Sequence, residues 1–260
     1  MDLHLAGRSA LITGASKGIG LSVAECFAAE GVNLVLAARS KELLDQHAAE
    51  IRAKWKVKVD TMAMDLSDQA HRDKLVASFP DVDILINNAG AIPGGTIFEV
   101  DDKAWRAGWD LKVFGYVNLT RSYFRLMSER KRGVIICICG LGGEKLDFGY
   151  IAGAAGNASL MAFARAMGGR SVDHGVRVLA VNPGPVLTDR TVYLGKIRAK
   201  RELGDETRYT ESFKHMPYQR PATVDEVAPM VVFLASDHSN YISGTVVTID
   251  GGIANRHAHA

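Results

Sequence analysis

Cysteine is scarce in this 260-residue sequence: Cys26, Cys137 and Cys139 make an odd number and stand at no metal-ligand spacing. That argues against a disulfide framework and a metal site, and it points to a reducing interior, the cytoplasm. Net charge is lacking as well. Lysine and arginine total 31 against 29 aspartates and glutamates, so no global field selects nucleic acid or an anionic membrane surface. An anion has to be bound locally. No apolar run approaches the roughly 20 residues that span a bilayer. The opening MDLHLAGRSALITG has no basic segment followed by a long apolar stretch and a cleavage site. Neither membrane insertion nor secretion is expected. Internal repeats, low-complexity tracts and Pro/Gly-rich linkers are missing too. With 47% of its residues hydrophobic, the chain suits one sizeable domain over 1–260 better than two small ones.

What is present is a rhythm. Short apolar runs at Ser9–Thr13, Leu34–Ala38, Val57–Met64, Asp83–Asn87, Val134–Cys139, Val176–Val181 and Val246–Ile249 predict strands, and most intervals between them are long enough for a crossover helix. Such alternation predicts an α/β fold, a single Rossmann-type doubly wound and mainly parallel sheet with helices on both faces. The stretch 188–220 breaks the rhythm with mixed charge and aromatic residues, among them Arg190, Lys196, Arg198, Lys200, Arg201, Tyr193, Tyr209 and Phe213. A lid or substrate loop is expected there, facing either solvent or an acidic or acyl-thioester substrate.

Directly after the first strand comes Thr13-Gly14-Ala15-Ser16-Lys17-Gly18-Ile19-Gly20, leading into a helix expected to begin near Leu21. Glycines let the backbone turn sharply and approach a pyrophosphate, whose charge is met by the amides of a helix N-terminus. This turn resembles the T-G-x-x-x-G-I-G motif of the short-chain dehydrogenases, and the likeness covers nearly the whole chain. Asn87-Asn88-Ala89-Gly90 matches that family's N-N-A-G. Asn182 to Thr188 is similar to its P-G-x-V-x-T segment, and Tyr241-Ile242-Ser243-Gly244 with Asp250-Gly251-Gly252 is similar to its C-terminal signature. The resemblance implies that Gly14, Ser16, Gly18, Ile19 and Gly20 hold cofactor phosphates, Asp65 and Leu66 the adenine, and Asn88, Ala89 and Gly90 the adenosine side. It places Pro183, Gly184, Val186 and Thr188 against nicotinamide. An acidic residue at the end of the second strand favours NAD. Here Ala38 stands in that place, followed by Arg39, with Lys17 as a second cation, so NADP (NADPH) is the expected cofactor.

In the family a tyrosine hydroxyl exchanges a proton with the substrate oxygen while hydride moves at the nicotinamide. A lysine four residues later lowers the tyrosine pKa and binds ribose, a serine about a dozen residues earlier orients the oxygen, and an asparagine carries a proton relay. Free tyrosine, with a pKa of about 10, needs such help near neutrality. Aligning Gly133 to Gly140 with the family's G-x-I-V-N-I-S-S strand matches Tyr150 to the tyrosine, Ala154 to the lysine, Gly140 to the serine and Lys112 to the asparagine. One of four is retained. Lys112 is expected to bring its ammonium toward the space that Ala154 leaves, or else to face solvent or a subunit interface. Cys139 suits the core or a weak thiol contact with substrate. Asn157, seven positions after Tyr150, suits cofactor contact and helix packing alike.

Two classes of function follow. One is an NADP(H)-dependent oxidoreductase with a rearranged site, interconverting a hydroxyl and a carbonyl on a small molecule such as a 3-oxoacyl thioester. The other is an NADP(H)-binding sensor or assembly protein with little turnover. The resemblance also implies a homotetramer whose interfaces include the helices carrying Lys112 and Tyr150.

Overall fold

Apolar residues alternate between two faces along each strand, and that alternation builds the layers. In the computed structural model, which describes residues 1–256, β1 (Ser9–Thr13) sends Ala10 and Ile12 into one core and Leu11 into another. β2 (Asn33–Ala38), β4 (Ile84–Asn87) and β5 (Gly133–Ile138) divide their side chains in the same way. With β3 (Val59–Ala63), β6 (Val176–Pro183) and β7 (Val246–Ile249) they form one seven-stranded sheet in the order β3-β2-β1-β4-β5-β6-β7. Every neighbouring pair is parallel.

Parallel strands need crossovers, and the helices that make them cover both faces. On one side lie α1 (Gly18–Ala29) and α2 (Lys41–Lys54), with Val23, Phe27, Leu44 and Ile51 in the core. The other side is closed by α3 (Gln69–Ser78) and, after α4 (Asp102–Trp109), by α5 (Gly115–Glu129) and α6 (Ile151–Ser171). Leu75, Leu119, Tyr123 and Met127 pack there, with Leu160 and Met161 against Cys137 and Cys139. Full burial of each such side chain contributes about 1.5–3 kcal/mol. Close approach is also required of α6, where a β-carbon on Gly168 would overlap the Val178 carbonyl and the Gly244 backbone.

The stretch after Thr188 is regular rather than irregular. It forms α7 (Asp189–Leu203), capped by the Thr188 side chain accepting from the Thr191 amide and stopped by left-handed Gly204 at φ 73°. A 3-10 run over Glu206–His215 then packs on α7, and α8 (Ala228–Ala235) returns to the core beside α1. No helix among the described residues is long and apolar enough to cross a membrane.

Strand order reverses between β1 and β4, where one crossover runs to β2 and the other onward to β5. In open α/β sheets such a switch point leaves a crevice outside the carboxyl ends of the strands. It puts Gly14 and Asn88 side by side.

Candidate active site

That crevice opens into a cleft of about 1880 Å³, well beyond the roughly 300–1,000 Å³ of an ordinary small-molecule site. A dinucleotide and a substrate fit together in such a space. Its walls include Gly14, Ser16, Lys17, Gly18, Ile19, Arg39, Leu66, Asn88, Ala89, Gly90, Pro183, Gly184, Val186 and Thr188.

Consecutive backbone turns shape the phosphate end. Gly14 and Gly18 adopt φ of 67° and 59°, which side chains resist. A β-carbon on Gly14 would lie 2.9 Å from both Ala89 Cα and Asn88 Nδ2, and one on Gly18 would lie 3.3 Å from Thr188 Cγ2. The helix begins at Gly18, earlier than expected, and Lys17 at its N-cap offers no side-chain cap to the first-turn amides. An anion satisfies amides of that kind. Thr13 and Asn88 knit the strand ends together. Thr13 Oγ1 accepts from the Asn88 and Ala89 amides at 2.8 and 3.0 Å, while Asn88 Nδ2 donates to the Thr13 carbonyl at 3.0 Å.

Two expected cofactor residues stand outside the wall. Gly20 is packed against the Gly14 carbonyl and Asn88, so it supports the turn rather than lining it. The Asp65 carboxylate accepts from the Ser67 amide and hydroxyl at 2.9 and 2.8 Å. The amide bond chiefly holds its pKa below the usual carboxylate range. The two candidate cations also differ. Lys17 is ion-paired with Asp189 at 2.8 Å. Arg39 is exposed and has no ion pair among the described residues.

At the other end of the cleft, Tyr150, Lys112, Asn157, Cys139 and Gly140 share the wall. Lys112 sits in a π-helical turn, Asp110–Phe114, inserted between α4 and α5; single π turns of this kind redirect side chains at functional sites. Its ammonium donates to the Cys139 carbonyl at 2.7 Å, and its stem lies so close to Gly90 that a β-carbon there would stand 2.8 Å from Cδ. This corrects the expectation for Lys112. The charge is held at the end of β5, and Ala154 is buried in α6 without reaching the cleft, so it leaves no space there to be filled. Asn157 is the α6 residue that does face the cleft, 2% exposed and with no hydrogen-bond partner for Oδ1 among the described residues.

Composition and motif matching missed Asn182 and Glu144. Asn182 Oδ1 accepts from the Gly140 amide at 3.1 Å while its Nδ2 donates to Glu144 at 2.9 Å, tying the glycine-rich strap after β5 to β6. An asparagine before Pro183-Gly184 is the only sequence signal of that clamp. Burial pushes the Cys139 thiol up to about 11 and raises Cys137 further, so both belong to the core as neutral thiols.

A glycine-lined helix N-terminus at the switch point of a parallel sheet defines a dinucleotide-binding protein. A family model described as Enoyl-(Acyl carrier protein) reductase matches residues 14–254, and the chain belongs to the short-chain dehydrogenase/reductase family of oxidoreductases. It is 30% identical to the 3-oxoacyl-[acyl-carrier-protein] reductase FabG of Escherichia coli over 251 residues, covering 96% of this chain and 99% of the relative. It is 32% identical to oxidoreductase UcpA of Salmonella typhimurium, covering 95% of each. The solved L-sorbose reductase of Gluconobacter frateurii, complexed with NADPH and L-sorbose, superposes with a TM-score of 0.90 at 33% identity, over 99% of this chain and all of that one.

Proposed function

We propose that this protein is an NADP(H)-dependent oxidoreductase that interconverts a hydroxyl and a carbonyl on a small molecule, with Tyr150 as the proton donor and acceptor. The observation that carries it is a single cleft lined by Tyr150 and Lys112 and also by an uncapped, glycine-lined helix N-terminus. Gly14, Ser16, Gly18 and Ile19 hold the phosphates in this assignment, Arg39 the 2′-phosphate, Leu66 the adenine, and Pro183 to Thr188 the nicotinamide side. When bound, the nicotinamide supplies or accepts the hydride.

The protein's own part is proton transfer and orientation. In the reducing direction the Tyr150 hydroxyl donates its proton to the substrate oxygen, and the phenolate left behind needs positive potential nearby. Lys112, fixed to the Cys139 carbonyl, lines the cleft with Tyr150 and takes that role in this assignment. Asn157 Oδ1 has no hydrogen-bond partner among the described residues and is assigned here as acceptor for a hydroxyl of cofactor or water. The relatives favour two substrate classes, ketoses such as L-sorbose and 3-oxoacyl thioesters, and the segment 188–220 forms the substrate-side wall through Leu194 and Phe213. A cytoplasmic location accords with the paucity of cysteine.

NADPH oxidation measured with L-sorbose and acetoacetyl-coenzyme A, beside an NADPH titration, tests the assignment. Tyr150→Phe and Lys112→Met are each expected to lower kcat by about 100-fold or more while leaving NADPH affinity unchanged. A rate and pH profile that survive Lys112→Met would remove the lysine from the mechanism. Tight NADPH binding with no turnover would favour the sensor, a reading that Gly140, which offers no hydroxyl to the cleft, supports.

A further inference from the structure

Tyr150 does not stand on α6 as an ordinary helical residue. It is the N-cap, at φ −139° and ψ 38°, and its ring lies forward across Gly153. A β-carbon on Gly153 would fall inside that ring, among Cζ, Cε1 and Cε2. On the opposite side, a β-carbon on Gly142 of the strap would meet Cδ1 and Cε1 at 3.1 and 3.3 Å. The phenol therefore occupies a slot between two residues that have no side chain.

Hydrogen bonds on both sides of Tyr150 resist a backbone shift that would relieve a clash in that slot. The Gly95 amide donates to the Gly149 carbonyl at 2.9 Å, and the Ile151 amide donates back to the Gly95 carbonyl at 3.3 Å. The Tyr150 amide is bonded to the Asp147 carbonyl at 3.0 Å, and its carbonyl accepts the Ala154 amide at 2.8 Å. With the main chain held on both sides of the residue, the ring is expected to move before the backbone does. Helix geometry explains the overlap, since residues three apart share a face and a helical side chain leans toward the N-terminus. One turn beyond Gly153 on that face is Asn157, buried and with an unpartnered oxygen. The pair that addresses the cleft from α6 is thus position 153, filled by the ring of Tyr150, and position 157.

We infer that Gly153, with Gly142 opposite, is the positioning residue that admits the Tyr150 phenol to the cleft from the helix N-cap. The inference rests on the proposed role of Tyr150 for its effect on rate, but not for its effect on structure. A methyl group at 153 evicts the ring, and misplacement of a reacting group by about 1 Å is enough to cost on the order of 100-fold in rate.

The experiment combines a crystal structure of Gly153→Ala with a double-mutant cycle on Tyr150→Phe, following NADPH oxidation by L-sorbose and acetoacetyl-coenzyme A. The ring is expected outside the slot, kcat down by about 100-fold, and NADPH affinity unchanged as proof that the variant folds. In the Tyr150→Phe background Gly153→Ala is expected to cost nothing further, because the group it displaces no longer transfers a proton. A ring still seated between positions 142 and 153 overturns the inference, as does a loss of equal size in both backgrounds. Should Tyr150→Phe itself turn over at the parent rate, the proton-donor role falls, and the ring position in Gly153→Ala still decides the slot. Where Gly153→Ala fails to fold, Gly142→Ala presses on the opposite side of the ring and is read in the same cycle.

Discussion

Arg39 and Lys17 both line the cleft, but their surroundings differ, and the difference predicts which of them selects the cofactor. Arg39 follows buried Ala38 at the end of β2, is exposed, and has no ion pair among the described residues. A guanidinium in that state offers several donors to a phosphate, and hydrogen bonds to a charged group contribute about 1.5–3 kcal/mol. Arg39→Ala is therefore expected to weaken NADPH binding by about 10- to 150-fold and to leave NADH binding unchanged. Lys17 is already paired with Asp189, both side chains being mostly exposed at 66% and 79%. A phosphate would have to draw the ammonium from that exposed pair, a handicap of up to about fivefold that Arg39 does not carry, so Lys17→Met is expected to cost less than Arg39→Ala. Asp189→Asn, which frees the lysine and removes a negative charge, is expected to tighten NADPH binding by a similarly small factor.

Titrations of NADPH and NADH by the quenching of tryptophan fluorescence measure all three variants. Raising the ionic strength is expected to narrow the NADPH advantage in the parent and to leave Arg39→Ala less affected, because the lost interaction is electrostatic. A Lys17→Met loss larger than that of Arg39→Ala, or an Arg39→Ala loss shared equally by NADH, would refute the reasoning.

Cys137 and Cys139 are expected to resist Ellman's reagent in the native protein at pH 8, since a thiol with a pKa of about 11 is only about one-thousandth thiolate there. A native rate for Cys139 matching the urea-unfolded rate would contradict its burial. Because its folded pKa is raised from 9.0, its contribution to stability is complete below about pH 9 and is lost as pH climbs toward 11, so Tm is expected to fall across that alkaline range. We propose that the chain assembles as a homotetramer that buries the half-exposed Phe114 on the π turn beside Lys112, and sedimentation as a monomer at micromolar concentration would remove that proposal.

Most of the sheet was legible because β1, β2, β4, β5 and β6, buried on both faces, leave apolar runs, and the partly exposed β7 is mostly apolar and β-branched as well. Ser9–Thr13 and Val246–Ile249 were bounded to the residue, and Leu34–Ala38 and Val134–Cys139 to within one. Val57–Met64 shortens to Val59–Ala63 at the sheet edge, where only β2 holds it. The helix after Thr188 was hidden for the opposite reason. It buries only Ala199, so no apolar stripe marks it, although its cap at Thr188 and its stop at Gly204 were both visible as residue types.

The two ends of the cleft differ in legibility for a reason of assembly. The phosphate turn is made by consecutive residues, whose glycines at positive φ dictate their own geometry, so a string of letters carries it. The two expected residues that lie outside the cleft wall, Gly20 and Asp65, support the turn or close one of their own, and sequence does not distinguish supporting a wall from lining it. The end proposed for proton transfer is built from four separate pieces: the π turn with Lys112, the end of β5 with Cys139, the glycine strap, and the start of α6. Matching one letter to one role assumes that each side chain fills the space above its own Cα. Tyr150 fills the space above Gly153, and Asn157 rather than Ala154 meets the cleft one turn further on. The side chain that meets the cleft from α6 thus lies three residues beyond Ala154, and it is the buried amide of Asn157, not a lysine, with which any mechanism at this site has to reckon.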